Sequence, residues 1–235
     1  MQSFSDEILE LIDDRIQMMF EIERVLFSRR YKLSRNHLSI FSIQSVSMIY
    51  AIWEGFVQQS FQKYISYINS KNLDFAKLSN EIKVFHMENT FKQLTQYPQK
   101  NSFKVKFYDS LGVFYRQTHQ DIYPQINTGS NVGWEELNTI LTAFCLEPFP
   151  NHWEKYKHPN PNLKETMKTF LRYRNGVAHG GDISSEEKVT QAVYTKYKKL
   201  VSNLMDAIHE KMIDGITKET YLQEHHRSSE SEFSS

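Results

Sequence analysis

The chain has 235 residues, of which 40% are hydrophobic and 24% charged, as in a globular protein with a substantial core. Its 28 basic and 28 acidic residues balance, which argues against broad nonspecific coating of nucleic acid but allows a local basic cleft. The lone Cys145 excludes an internal disulfide. The most apolar run, residues 46–57, contains Glu54 and is too short to span a bilayer, and the acidic start lacks the layout of a signal peptide. We expect a cytoplasmic protein with no membrane partner.

Apolar residues at helical spacing recur through most of the chain and predict an all-α protein. The predicted helices cover residues 5–30, 36–69, 74–96, 102–115, 133–144, 162–181 and 184–214. Ser5 is the expected cap of the first helix and Asn131 the expected cap of the fifth. Ser184 and Glu187 have the spacing of a capping box and are expected to open the last helix. Together these elements predict a compact bundle of long helices with short additional ones.

Residues 102–115 are ambiguous, because Phe103, Val105 and Phe107 alternate with lysines as they would in a strand. No convincing partner strand is present, so a helix is predicted. The polar residues 222–235 lack periodicity and predict a disordered tail. With neither an internal repeat nor a composition break, residues 1–221 are predicted to form a single domain.

The sequence RNGVAHG, residues 174–180, is the strongest candidate site. On a helix Asn175 and His179 share a face, and the long side chain of Arg174 bends toward the same space. Taken alone, the motif also fits an ordinary helix end that stops at two glycines and places His179 at the negative end of the helix dipole. Spacing by itself is weak support, since Arg30 and His37 satisfy a slightly looser version of the same pattern.

The small residues inside this motif suggest close packing. Gly176 costs a helix about 1 kcal/mol relative to alanine, so its presence calls for a reason. Gly176, Ala178 and Gly180 remove bulk beside the polar residues, as expected where a second copy of the helix approaches. We therefore predict a homodimer whose interface includes the helix at residues 163–180.

Three stretches in the same order resemble the HEPN superfamily (higher eukaryotes and prokaryotes nucleotide-binding domains). RNGVAHG resembles its Arg-x4-His motif, while YAIWEGFVQ at 50–58 and INTGSNVGWEELNTIL at 126–141 resemble a branch of bacterial HEPN-like nucleases. The resemblance implies a helical bundle that dimerises to form one cleft from two motifs. It also implies an endoribonuclease without a metal, acting as a toxin or effector of a toxin–antitoxin or phage-defence system, with an antitoxin or regulatory protein as a further partner.

The chemistry that the resemblance implies suits these residue types. Histidine titrates near neutral pH, so His179 is the expected proton-transfer group for attack by an RNA 2′-hydroxyl. Arg174 offers a planar fork to the phosphate, and Asn175 is expected to orient the histidine or the substrate. Glu54 is a candidate for supporting these residues. We expect no metal and no cofactor, since the sequence has neither a phosphate-binding glycine loop nor a metal signature.

A second class of function remains open from the sequence. A catalytically silent HEPN-like module, serving as an antitoxin, a scaffold or a nucleotide sensor, fits the neutral net charge and the lack of an attached effector domain. The intact Arg174, Asn175 and His179 favour the nuclease.

Overall fold

The computed structural model describes residues 2–31, 33–154, 162–178 and 189–227. These residues form seven α-helices, and their only β structure is three isolated bridges. The helices are α1 (Gln2–Phe27), α2 (Arg35–Ser70), α3 (Asn80–Thr90), α4 (Asn101–Phe114), α5 (Trp134–Ala143), α6 (Leu163–Ala178) and α7 (Gln191–Thr217). The predicted all-α class is confirmed, including the helix predicted over the ambiguous residues 102–115.

The 36-residue helix α2 is the centre of the bundle. It packs against α1, α6 and α7, and α1 also packs against α7. Its middle is therefore buried on most sides. The fully buried large side chains of α2 are Tyr50, Trp53, Phe56, Phe61 and Tyr64. By length and composition residues 36–70 would be able to cross a membrane, and half of their most apolar window is buried in the protein.

The first and third predicted helices differ from the structure in informative ways. Helix α1 begins before Ser5, whose hydroxyl lies 2.9 Å from Nε2 of His209 on α7 and so joins two helices rather than capping one. The helix predicted over 74–96 is interrupted. Only α3 is α-helical there, because the Ser79 side chain accepts the amide hydrogen of Ile82 and starts a new helix.

In the structure, residues other than the expected ones occupy the cap positions of the fifth and last helices. Helix α5 begins after Gly133 rather than at an Asn131 cap. Helix α7 begins at Gln191, where the Thr190 hydroxyl accepts the amide hydrogen of Val193. Ser184 and Glu187, the predicted capping box, lie outside the described residues.

The structure describes residues 222–227, which lie beyond the domain boundary predicted at residue 221. Leu222 is buried and pairs with Leu78 through a β-bridge. The amide of Gln223 donates to the carbonyl of Lys77, and Nε of Arg227 donates to the carbonyl of Leu222. Residues 222–227 therefore belong to the folded part, because a single apolar side chain and a few backbone hydrogen bonds dock an otherwise polar segment.

Residues 91–117, which contain α4, form an arm with a small core of its own. Phe91, Phe107 and Phe114 make up a second hydrophobic cluster, separate from the main core. The Phe114 ring joins the arm to the body by packing against Phe75 and against the buried ring of His86 on α3. The arm is thus a peripheral unit on the bundle rather than one of its core layers.

Candidate active site

The centre of α2 holds the loop that precedes α5. The Tyr50 hydroxyl accepts the amide hydrogen of Val132 at 2.6 Å, and Nε1 of Trp53 donates to the carbonyl of the same residue at 3.0 Å. Val132 is itself fully buried. Two aromatic side chains of α2 thus satisfy both backbone groups of a buried loop residue, which fixes the position of the loop.

A second set of polar contacts lies one turn further along α2. Thr128 donates its hydroxyl hydrogen to Oε1 of Glu54 at 2.7 Å and accepts a hydrogen bond from Nε2 of Gln58 at 3.0 Å. Thr128 is buried, whereas Glu54 is half-buried. Because the threonine hydroxyl has both a donor and an acceptor partner, it orients the Glu54 carboxylate.

The loop between these anchors makes a tight turn. Gly129 and Ser130 both have positive φ, 57° and 56°, a conformation that is uncommon for serine. The Asn127 carboxamide oxygen accepts the amide hydrogen of Gly129, as expected of an asparagine that stabilises a turn. A Cβ at Gly133 would lie 2.7 Å from Cδ1 of Leu171, so the loop approaches α6 closely at this point.

Arg174 on α6 contacts Tyr50, the side chain that holds Val132. Its guanidinium carbon lies 5.5 Å from the centroid of the Tyr50 ring, a cation–π contact. Its Nη1 donates to Oδ1 of Asn175 at 2.9 Å, and both side chains are half-buried. Helix α6 is held in place by the Phe170 ring, which packs on Tyr50 and on Tyr197 of α7.

The charges around Tyr50 affect its ionisation. Burial and the nearby Glu54 carboxylate raise the pKa of the Tyr50 hydroxyl to about 12, against the lowering influence of the Val132 amide and of Arg174. Tyr50 is therefore a neutral hydrogen-bonding group near pH 7. It places an aromatic face against Arg174 and a hydroxyl against the loop.

The structure brings together parts of all three stretches that resemble HEPN sequences. Tyr50 and Glu54 come from residues 50–58, Thr128 and Val132 from residues 126–141, and Arg174 from RNGVAHG. His179 lies outside the described residues, so its position relative to Arg174 and Asn175 stays a prediction. So does the assignment of Arg174, Asn175 and Glu54 to an active site.

The sequence analysis missed Tyr50, Thr128 and Gln58 as individual site residues. A signal for two of them was present, because Tyr50, Glu54 and Gln58 are spaced four apart and form one polar stripe on an otherwise apolar helix. Thr128 carried no comparable local signal. Its partners on α2 lie 70 and 74 residues away in the chain.

This architecture defines the class as an all-α helical-bundle domain with a polar cluster between its central helix and a neighbouring loop. The family model for the MAE_28990-like HEPN domain matches residues 4–221, so the chain belongs to this HEPN family. The superfamily predicted from the three stretches is thereby confirmed. HEPN domains include nucleases and nucleotide-binding modules. Neither a curated protein nor a solved structure matches the chain.

Proposed function

We propose that the protein is a metal-independent endoribonuclease that cleaves RNA by attack of a 2′-hydroxyl on the adjacent phosphate. The observation that carries the proposal is the half-buried Arg174 guanidinium, held between the Tyr50 ring and Asn175 in a protein of the HEPN family. A guanidinium in such a setting is well suited to bind a phosphate oxygen, since it keeps its charge and has several donors in one plane.

His179 is proposed as the proton-transfer group. It removes the proton from the 2′-hydroxyl, or donates one to the leaving 5′-oxygen, and a second copy of the motif supplies the complementary step. The oxygen–phosphorus bond to the leaving nucleoside breaks as the new bond to the 2′-oxygen forms. The products are a 2′,3′-cyclic phosphate and a 5′-hydroxyl end. Arg174 stabilises the negative charge that develops on the phosphate oxygens.

Asn175 and Glu54 are proposed as positioning residues. Asn175 accepts a hydrogen bond from Arg174 and so restricts the orientation of the guanidinium. Glu54 acts through Thr128, which anchors the loop beside Tyr50. The biological setting proposed for this activity is a toxin or effector of a toxin–antitoxin or phage-defence system, with an antitoxin or regulatory protein as a partner.

The test is cleavage of total RNA by the purified protein in EDTA, followed by analysis of the product ends. We expect cyclic phosphate and 5′-hydroxyl ends, and no cutting where the scissile sugar is 2′-deoxy. His179→Ala removes proton transfer and should lower the rate about 10²- to 10⁴-fold. Arg174→Ala should lower turnover by a similar factor with a smaller effect on RNA binding.

Arg172→Ala is the matched control, because Arg172 is an exposed arginine on the same helix, about 160° around the axis from Arg174. It should retain most of the activity. Metal-dependent cutting that leaves 5′-phosphates would contradict the mechanism. RNA binding without cleavage by the wild-type protein would instead indicate the catalytically silent module.

We also propose that two copies associate to complete the site. Ile40, Phe41 and Met48 on the first half of α2 are large apolar side chains left exposed, and they lie on the helix that continues into Tyr50 and Glu54. An exposed apolar surface of this kind is typical of an interface. The predicted interface around residues 163–180 would be continuous with it, since α2 packs against α6.

Light scattering at micromolar concentration should give about twice the chain mass of 27.9 kDa. Phe41→Glu places a charge in the proposed interface and should yield monomers that no longer cleave RNA. Val84→Glu, at a similarly exposed apolar position on α3, is the control and should remain dimeric. A wild-type monomer that is fully active would overturn the composite site.

A further inference from the structure

The arm at residues 91–117 differs from the rest of the chain in charge. It contains five basic residues and one acidic residue, whereas the whole chain is neutral. The basic residues are Lys92, Lys100, Lys104, Lys106 and Arg116. Within the described part of the chain none of them forms an ion pair with a carboxylate. The arm therefore carries a local excess of positive charge that the neutral net charge of the whole chain does not reveal.

One side of this arm combines a lysine with three tyrosines, and we name it the aromatic-basic face. It consists of Tyr97, Lys104, Tyr108 and Tyr115. On α4, Tyr108 and the adjoining Tyr115 lie within about 40° of Lys104 around the helix axis. The three tyrosines are 48%, 63% and 74% exposed, which is unusual for large aromatic side chains.

Contacts with the small core of the arm hold these exposed rings in place. The Tyr97 ring packs edge-on against Phe107 at a centroid distance of 6.4 Å, and Tyr108 packs against the same ring at 6.1 Å. The Tyr115 ring lies perpendicular to Phe114 at 5.4 Å. Tyrosines that rest on buried rings keep an outer surface available at a low entropic cost of binding.

The lysine is integrated into the same surface. Nζ of Lys104 lies 5.2 Å from the centroid of the Tyr97 ring. Partial desolvation and the neighbouring Tyr108 hydroxyl raise the pKa of Tyr97, as expected if the two tyrosines are adjacent. The face therefore combines exposed flat rings with one positive charge that lies against the Tyr97 ring.

This combination fits a single-stranded nucleic acid better than a lipid surface. Every base has a flat face that stacks on an aromatic ring, and a lysine between rings meets the phosphate that links two bases. A helix that lies in a membrane needs a continuous apolar face. Here the aliphatic Val105 and Val113 point to other sides of α4, and the face carries three hydroxyls.

The location of the arm indicates which part of an RNA would reach it. Asn69, at the end of α2, exchanges two hydrogen bonds with the backbone of Ile122, just beyond the arm. Tyr50 lies 19 residues earlier on the same helix, a separation of about 28 Å along its axis. The segment that leaves the arm is therefore anchored at the end of α2 that lies away from Tyr50.

We propose that the aromatic-basic face binds single-stranded RNA that flanks the cleaved phosphate, through base stacking on its tyrosines and a phosphate contact from Lys104. The proposal extends the ribonuclease function proposed above by giving its substrate a second contact. It also explains how a neutral chain holds RNA, since the contact depends on one local surface.

The test measures binding of a fluorescent single-stranded 2′-O-methyl RNA of about 12 nucleotides, a length within the range typical of stacking surfaces. This probe lacks the free 2′-hydroxyl and is not cleaved, so binding is measured independently of catalysis. Tyr108→Ala and Tyr115→Ala should each weaken binding by about 5- to 150-fold, the usual effect of losing one stacked base. Tyr108→Phe keeps the ring and should bind as the wild type does.

Two further measurements separate this proposal from a general loss of structure. Phe20→Ala, an exposed aromatic on α1, should leave RNA binding unchanged. Lys104→Gln should reduce the slope of log affinity against log salt by about 0.7, the value for one phosphate contact to a single strand. Thermal unfolding midpoints of all variants should match the wild type, because the altered side chains lie outside the cores.

The outcomes of the test are distinct. The proposal is overturned if Tyr108→Ala leaves RNA binding unchanged. It is also overturned if this variant loses binding to phosphatidylserine vesicles while its RNA binding stays intact. If the 2′-O-methyl probe depends on the face but natural RNA is not cleaved, the RNA-binding inference stands and the ribonuclease proposal fails. If natural RNA is cleaved but the face makes no contribution to binding, the ribonuclease proposal stands and the RNA-binding inference fails.

Discussion

The candidate active site and the arm at residues 91–117 use aromatic residues in opposite ways. At the site, Tyr50 and Trp53 are buried, and each contributes one hydrogen bond that holds a loop residue more than 75 positions away in the chain. In the arm, Tyr97, Tyr108 and Tyr115 are exposed and rest on buried phenylalanines of the same segment.

The difference separates two requirements of the proposed function. A catalytic arrangement needs side chains fixed by a surrounding core, since small displacements reduce turnover strongly. A surface that binds single strands of varied sequence needs accessible rings and charge, and tolerates movement. Changes at the site should therefore affect stability and catalysis together, whereas changes on the arm should affect binding alone.

The largest expected effect on stability is that of Trp53→Ala. Loss of a fully buried indole should reduce the free energy of unfolding by about 3–5 kcal/mol. The carbonyl of Val132 would also lose its hydrogen-bond donor. Urea unfolding followed by circular dichroism measures the change. Phe103→Ala, at an exposed position on α4, is the control and should change stability by less than about 0.5 kcal/mol. If Trp53→Ala and Phe103→Ala reduced the free energy of unfolding equally, the proposed difference between the buried site and the exposed arm would be wrong.

Alkaline pH should destabilise the site region by the next largest amount. The pKa of Tyr50 is about 12 in the folded protein, against 10 for an unburied tyrosine. Between pH 10 and 12 the unfolded chain loses this proton while the folded protein keeps it, so stability falls as pH rises. The pKa shift corresponds to about 2–3 kcal/mol from this residue over that range. Urea midpoints at successive pH values measure the decline, which should be less steep in Tyr50→Phe.

Tyr50→Phe itself should cost about 1–3 kcal/mol at neutral pH, because the buried amide of Val132 loses the Tyr50 hydroxyl as its acceptor. The aromatic contact with Arg174 is retained in this variant. We therefore expect RNA cleavage to decrease less than in Arg174→Ala. A fall in activity as large as that of Arg174→Ala would indicate that the hydroxyl itself acts on the substrate.

The smallest effect concerns the junction between the arm and the body. Nδ1 of His86 accepts the amide hydrogen of Tyr123 at 3.0 Å, and burial lowers the pKa of the imidazole below its usual 6.5. As pH falls below 6.5 the unfolded state binds the proton first, so stability is lost on acidification. Amide hydrogen exchange across residues 91–117, corrected for its intrinsic pH dependence, should accelerate in this range. His86→Leu should remove that pH dependence, and an identical profile in the variant would exclude His86 as its source.

Much of the fold follows from local patterns. Helical spacing of apolar residues predicted most of the helical regions, and the helix at residues 102–115 was predicted from the lack of a partner strand although its residues alternate as in a strand. Helix starts were less predictable, since Ser5, Asn131 and Thr190 are all reasonable caps by residue type. Which of them caps a helix depends on where neighbouring helices require the chain to turn. Ser5 instead reaches His209 on α7.

The sequence by itself determined the helical class and the family, because periodicity and short motifs are carried by residues close together in the chain. It also marked Arg174, Asn175, His179 and Glu54 as candidates. Only the tertiary structure decided that Tyr50 and Val132, 82 positions apart, share a hydrogen bond beside Arg174. It alone decided that Leu222 is buried and that the tyrosines of the arm are exposed. Burial depends on which helices pack together, and that packing is set by the summed contacts of the whole core rather than by any one segment.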